Sequence, residues 1–202
     1  MEVSPGQRVR VVGIVRVRDY IYLYPSESED ITLLGGYSES KPPLWNSSIG
    51  DIVETECLVL NSGGSTLKLN CTDLRLYGFK ARTGGDLLHI RALRRKSSLL
   101  CLNCSIVQPR EKLPNELCGY SPGNFAKISG TVTWVKRYRN GFGLANVTYG
   151  NCWVLLKLPP TSLGVSVTSG ENVTAYGFFT TYREKPAFEV RSGDDICSGS
   201  SC

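Results

Sequence analysis

The 202-residue chain is short of the side chains on which catalysis usually rests. It has one histidine, His89, and one methionine, Met1. No Gly-rich phosphate loop, no G-x-S-x-G elbow and no carboxylate pair at an informative spacing occurs, so phosphoryl- and acyl-transfer chemistries find no support. Asp194-Asp195 reads as an exposed turn. Charged residues make up only 20%. No apolar run approaches the ~18 residues of a membrane-spanning helix. Residues 1–12, MEVSPGQRVRVV, hold no apolar core of signal-peptide length. These shortages lead to the expectation of a non-catalytic, cytoplasmic protein with no membrane partner.

What is present favours β structure: 21 glycines, abundant Ser, Thr and Val, and 41% hydrophobic residues to fill a core. Gln7 to Tyr24, QRVRVVGIVRVRDYIYLY, alternates with period two and reads as two successive strands. Val9, Val11, Gly13, Val15 and Val17 share one face, and Arg8, Arg10, Arg16 and Arg18 the other. Ile21 and Leu23 then oppose Tyr20, Tyr22 and Tyr24. Guanidiniums beside phenol rings suit a single-stranded nucleic acid, offering charge for phosphates and flat faces for bases. An ordinary solvated sheet face has the same composition.

The net charge of +5 is unevenly placed. Residues 1–78 carry 7 cations and 10 acids, residues 79–118 carry 8 and 3, and residues 119–202 carry 8 and 5. A basic stripe suggests an anionic partner. Arg91, Arg94, Arg95 and Lys96 concentrate that charge within six residues.

The chain also repeats itself. A Gly-containing first strand, a hairpin, a loop, a G-[DE]-x-V strand start and a final hairpin occur from Gly6 and again from Gly123. Gly50-Asp51 in the first half matches Gly170-Glu171 in the second. Ser62 to Ser65, SGGS, marks a tight hairpin turn. Five short strands in about 70 residues, the first long and interrupted by Gly13 or Gly130, resemble the OB-fold over residues 6–78 and 123–192. The fold expected is therefore all-β: two five-stranded Greek-key OB-like barrels joined by a basic, cysteine-containing connector. Its domains are residues 1–78, the connector 79–122, and 123–202 with a cysteine-containing tail. The resemblance implies a ligand on the face of strands 2 and 3, flanked by the loops after strands 1 and 4.

In the second repeat those loops read VKRYRNGF and FFTTYREK. They offer Lys136, Arg137, Tyr138, Arg139 and Phe142, then Tyr182, Arg183 and Lys185. Between them Cys152, Val154, Leu156 and Leu158 alternate with Trp153, Leu155 and Lys157, which places Trp153 and Lys157 on the open face. Trp134 and Phe178 are expected in the core.

Eight cysteines form two sets, with Cys152 left as a core thiol. Cys57 and Cys71 flank the SGGS turn almost symmetrically and belong within ~7 Å of each other, bonded or as buried free thiols. Cys101 and Cys104, with Cys197 and Cys202, have the makings of a structural zinc site, with Cys118 or His89 as substitutes and disulfides as the competing reading. Five N-x-[ST] sequons and the cysteines keep an extracellular setting open. The function expected is binding of single-stranded DNA or RNA across both barrels, strongest on the second, with no cofactor beyond the zinc. The alternative is an OB-based scaffold that docks other protein subunits.

Overall fold

The computed structural model describes residues 3, 7–19, 21–34, 42–63, 65–80, 84–158, 160 and 166–199. Its regular elements are strands and short 3-10 turns. Four strands come first: β1 (Val9–Val11), β2 (Ile14–Val17), β3 (Ile21–Tyr24) and β4 (Ile31–Leu33). Five follow: β5 (Ile52–Gly63), β6 (Thr66–Leu69), β7 (Arg75–Tyr77), β8 (Leu87–Arg94) and β9 (Ser98–Gln108). Then come β10 (Phe125–Arg137), β11 (Gly143–Tyr149), β12 (Cys152–Leu158), β13 (Asn172–Tyr182), β14 (Lys185–Glu189) and β15 (Ile196–Ser198).

Strands β5 to β9 close into a barrel in the order β5-β6-β7-β9-β8. All pairs are antiparallel except β7 with β9. Strands β10 to β14 repeat that plan. Their order is β10-β11-β12-β14-β13, β12 and β14 are parallel, and β10 returns to β13 to close the ring. Strand β15 adds to the outside edge of β13. Two barrels sharing one five-strand plan are the all-β, OB-like architecture expected. Each has its own core: Val59, Leu67, Leu76, Ile90 and Leu99 in the first, and Ile128, Val147, Leu156, Phe179 and Phe188 in the second. Each such side chain contributes about 1.5–3 kcal/mol when fully buried.

The boundary of the first barrel differs from expectation. It is built from strands between residues 52 and 108, so much of the supposed connector supplies β8 and β9, and β1 to β4 lie outside it. The glycines explain the shift. Gly50 and Gly123, both at positive φ (96° and 90°), precede the first strands of the two barrels. Gly85 and Gly170 (105° and 90°) precede the fourth. The repeat is real, but Gly50 corresponds to Gly123, not to Gly170. Redrawn this way, residues 52–108 carry 8 cations and 4 acids, so both barrels are basic.

The Arg/Tyr stretch folds as a two-stranded antiparallel arm. β2 pairs with β3 and β1 with β4, and neither pair joins a barrel sheet. Its alternation is that of a strand, but its aliphatic face is bare: Val17 and Ile21 are 73% and 76% exposed. Gly13 sits where the arm bends, because a Cβ there would meet the Tyr24 carbonyl oxygen at 2.3 Å.

Disulfides join Cys57–Cys71, Cys101–Cys104 and Cys118–Cys152, and Cys197 is disulfide-bonded as well. The first pair, with Cα atoms 5.6 Å apart, is the one expected across the hairpin. The other pairings correct one expectation and, in the second cysteine set, favour the disulfide reading over zinc. Cys152 ties the start of β12 to the loop before β10 and is no free core thiol. Cys101, Cys104 and Cys197 have their sulfurs in S–S bonds, which leaves them no thiolate to offer zinc, and no cluster of three metal-binding side chains occurs among the described residues. Cys202 lies outside those residues. Such bonding is typical of oxidising compartments.

Arg110, just after β9, holds the barrels together. Its backbone N–H donates to Asp86 Oδ1 at 3.0 Å, beside β8. Its guanidinium donates to Asp195 Oδ1 at 3.1 Å and to the Asp194 carbonyl oxygen at 2.9 Å, and lies 4.4 Å from the centre of the Tyr176 ring. Phe125, opening β10, packs against Gly84 and Gly85, where a Cβ on Gly85 would approach its ring to 3.1 Å.

Burial raises the Asp86 pKa, outweighing the hydrogen bond from Arg110. Folding therefore shifts Asp86 towards its protonated form, and the associated stability is lost as pH rises from the ordinary carboxylate range through the raised value. Asp86→Asn keeps the acceptor and drops the charge. Urea denaturation should show this variant gaining on the wild type as pH rises from about 4 to 7. A variant that loses ground over that range would show that attraction to Arg110 dominates.

Candidate functional site

The first strand of the second barrel makes the site. β10 pairs with β13 from Phe125 to Thr131 and with β11 from Thr131 to Arg137. Its register slips between Val132 and Trp134. A bulge of this kind inserts one residue, Thr133, and reverses which face the following side chains take. Val132 therefore stays in the core while Trp134 turns outward, 42% exposed. This corrects the expectation of a buried Trp134, which rested on unbroken alternation.

Trp134, Asn146 and Leu155 stand in register across β10, β11 and β12, with Thr148 opposite Trp153 in the next row. Trp153 is 41% exposed. The two indoles flank the middle strand on one face, over a floor of Leu144 and Leu155 that packs on Ala187. Tyr138, Phe142 and Tyr182 close the far end. Phe142 lies 5.7 Å from the Tyr138 ring and 6.1 Å from the Tyr182 ring. All of these but Phe142 and Ala187 line a groove of about 530 Å³, whose cations are Lys136, Arg183 and Lys185 and whose lining holds no acid.

Both flanking loops are built tightly. In the first, Tyr138 N–H donates to the Phe142 carbonyl oxygen at 2.8 Å and Gly141 takes a positive φ of 84°. The second is a two-residue turn, Arg183-Glu184, with φ of 49° and 65°. Residues with side chains rarely adopt these values, and such strain gathers at functional sites. Arg183 lies 5.5 Å from the Tyr182 ring centre, and Lys136 5.2 Å from that of Tyr138.

Of the residues expected in the second barrel, Lys136, Tyr138, Trp153, Tyr182, Arg183 and Lys185 line the groove. Phe142 supports its wall. Lys157 is on the open face but donates to Glu189 at 2.9 Å, so its charge is engaged. Arg137 lies along Gly143 and donates to the Gly141 carbonyl oxygen at 3.5 Å, and Arg139 is exposed at the loop tip. Trp134, Asn146 and Thr148 were missed. The first needed knowledge of the bulge, and the other two needed the register of β11.

The supposed connector cations belong to the first barrel. Arg91 stands in register with Glu54. Arg94 bonds the carbonyl oxygens of Arg95 and Lys96, and those two residues are exposed in the β8–β9 hairpin. That hairpin is the counterpart of the Arg183-Glu184 turn. Beside it, Lys68 pairs with Arg75 and Thr66 with Tyr77 across β6 and β7, on the face matching the second barrel's groove. No tryptophan stands there. On the arm, Arg16 is opposite Tyr22 and 5.4 Å from the Tyr24 ring centre, and Arg18 is exposed beyond β2. Tyr20 lies outside the described residues.

No protein-family model matches the chain, and no curated protein sequence does. Among solved structures, the HINb domain of p204 is 12% identical with a TM-score of 0.40, over 69% of this chain and 93% of that one. The HINa domain of Ifi202, solved with a 20-bp double-stranded DNA, is 8% identical with a TM-score of 0.40, over 72% and 94%. A murine DNA-binding protein bound to double-stranded DNA gives 8% and 0.40, over 72% and 97%. Likeness at this level assigns neither fold nor ligand; the barrels rest on strand pairing.

Glycine populates the left-handed region freely, whereas other residues lose about 1–2 kcal/mol there. Glu184→Gly should therefore stabilise the protein by about 1 kcal/mol, read as a higher urea midpoint at unchanged slope. An unchanged or lower midpoint would show that this turn is not strained.

Proposed function

We propose that the protein binds single-stranded nucleic acid in the groove of the second barrel, without catalysis and without a cofactor. One observation carries the reading. Two half-exposed indoles flank β11 over an apolar floor, and the groove lining carries Lys136, Arg183 and Lys185 but no acid, Glu184 of the turn standing outside it. Flat indole faces take unpaired bases, each stacked base being worth about 1–3 kcal/mol, while the cations take the phosphates. A duplex hides its base faces in its own stack, which favours the unpaired strand. Arg95, Lys96, Lys68 and Arg75 offer a second basic surface on the first barrel, along which a longer strand continues. The bare aliphatic face of the arm favours a second role, docking to protein.

Fluorescence anisotropy with labelled single-stranded and duplex oligonucleotides tests the reading. Trp134→Ala and Trp153→Ala should each weaken single-strand binding by about 1–3 kcal/mol. Lys136→Ala and Lys185→Ala should weaken all sequences alike and lower the salt slope by about one unit for each phosphate left without its cation. Binding that is indifferent to salt between about 50 and 200 mM, or unaltered in both tryptophan variants, would refute it.

A further inference from the structure

The Cys101–Cys104 disulfide differs in kind from the other two whose partners are described. Cys57–Cys71 and Cys118–Cys152 span 14 and 34 residues and join separate segments. Cys101 and Cys104 are three residues apart within β9. In a regular strand, residues three apart point to opposite faces. Here Asn103 faces Arg91 while Cys101 faces Ala92, so Leu102 is left unopposed. This bulge turns both cysteines inward, where they pack on the core of the first barrel. Bulge and disulfide thus depend on each other.

Burial does little to hold the register beyond that point. Asn103, Ser105, Ile106 and Val107 are all exposed, and a second irregularity leaves Val107 unopposed. Register is weakly specified where neither face of a strand is covered. The strand then runs through Pro109 into Arg110, whose bonds to Asp86, Asp194 and Asp195 join the two barrels. A slip of one residue moves the chain by about 3.3 Å, as much as the length of those bonds.

We propose that Cys101–Cys104 is a thiol-exchange site for dithiol reductants, and that it fixes the register of β9 and, through it, the grip of Arg110 on the second barrel. A disulfide closing a short loop adds least to the stability of the fold. By linkage, the fold protects that disulfide least from reduction. A reductant thiolate attacks one cysteine sulfur and the other leaves as thiolate. The reductant's second thiol then resolves the mixed disulfide, so the reductant is oxidised and two electrons and two protons reach Cys101 and Cys104.

The test titrates the full chain with dithiothreitol, traps free thiols by alkylation and maps them by peptide mass spectrometry. Amide hydrogen exchange is followed at the same points. Cys101 and Cys104 should be alkylated at concentrations that leave Cys57, Cys71, Cys118 and Cys152 unlabelled. Exchange over residues 103–112 should then quicken at least about tenfold while the other barrel strands keep their protection. C101S/C104S in untreated protein should show the same local loosening. Opening of another of these disulfides first or simultaneously, unaltered exchange over 103–112, or global unfolding when this pair alone is reduced would each overturn the proposal.

Discussion

The first strand of each barrel has to serve two neighbours at once. β5 pairs with β8 along its first half and with β6 along its second, and β10 does the same with β13 and β11. A strand that crosses from one side of a barrel to the other must bend and twist, and both strands do so with a bulge as they pass to the second neighbour. In β10 the bend also brings Gly130 against β11, where a Cβ would meet the Thr148 carbonyl oxygen at 2.3 Å. Closure of the ring and exposure of Trp134 are two results of this one constraint. The groove follows, because Trp134 then faces Trp153 across a strand of small polar side chains.

Much of this was legible in the residues. Alternation at Val154, Leu156 and Leu158 correctly put Trp153 outside, and glycines marked the strand starts. Cys57 and Cys71 announced their hairpin by symmetry about SGGS. The failures have physical causes. Period two continues through a bulge in the sequence but not in space, so Trp134 read as core. Gly50-Asp51 and Gly170-Glu171 look alike because both are positive-φ starts, although one opens a first strand and the other a fourth. The arm alternates as well as any barrel strand, yet alternation does not say whether a partner sheet exists. Lys157 pointed the expected way, but its engagement by Glu189 depends on the parallel pairing of β12 with β14, which brings residues 32 apart together.

The two barrels share a plan and divide the features of a ligand surface. The second holds the rings and a formed groove. The first holds cations on an equivalent face and hairpin, with Tyr77 as its exposed ring. Arg110 and Phe125 join them, both set by short segments that follow or precede a long strand. How firmly the barrels are held thus depends on the register of the end of β9 beyond Cys104, where exposed side chains do little to pin it.

The three tryptophans provide the most direct test of where the ligand lies. Trp134 and Trp153 stand in the groove, while Trp45, 89% exposed in the 3-10 turn before β5, belongs to neither groove nor arm. Indole N–H resonances of the nitrogen-15-labelled protein, followed during titration with a single-stranded oligonucleotide, report on all three together. The groove reading predicts saturable shifts of the Trp134 and Trp153 signals with Trp45 unmoved. Saturated binding that leaves both groove indoles unshifted would contradict it.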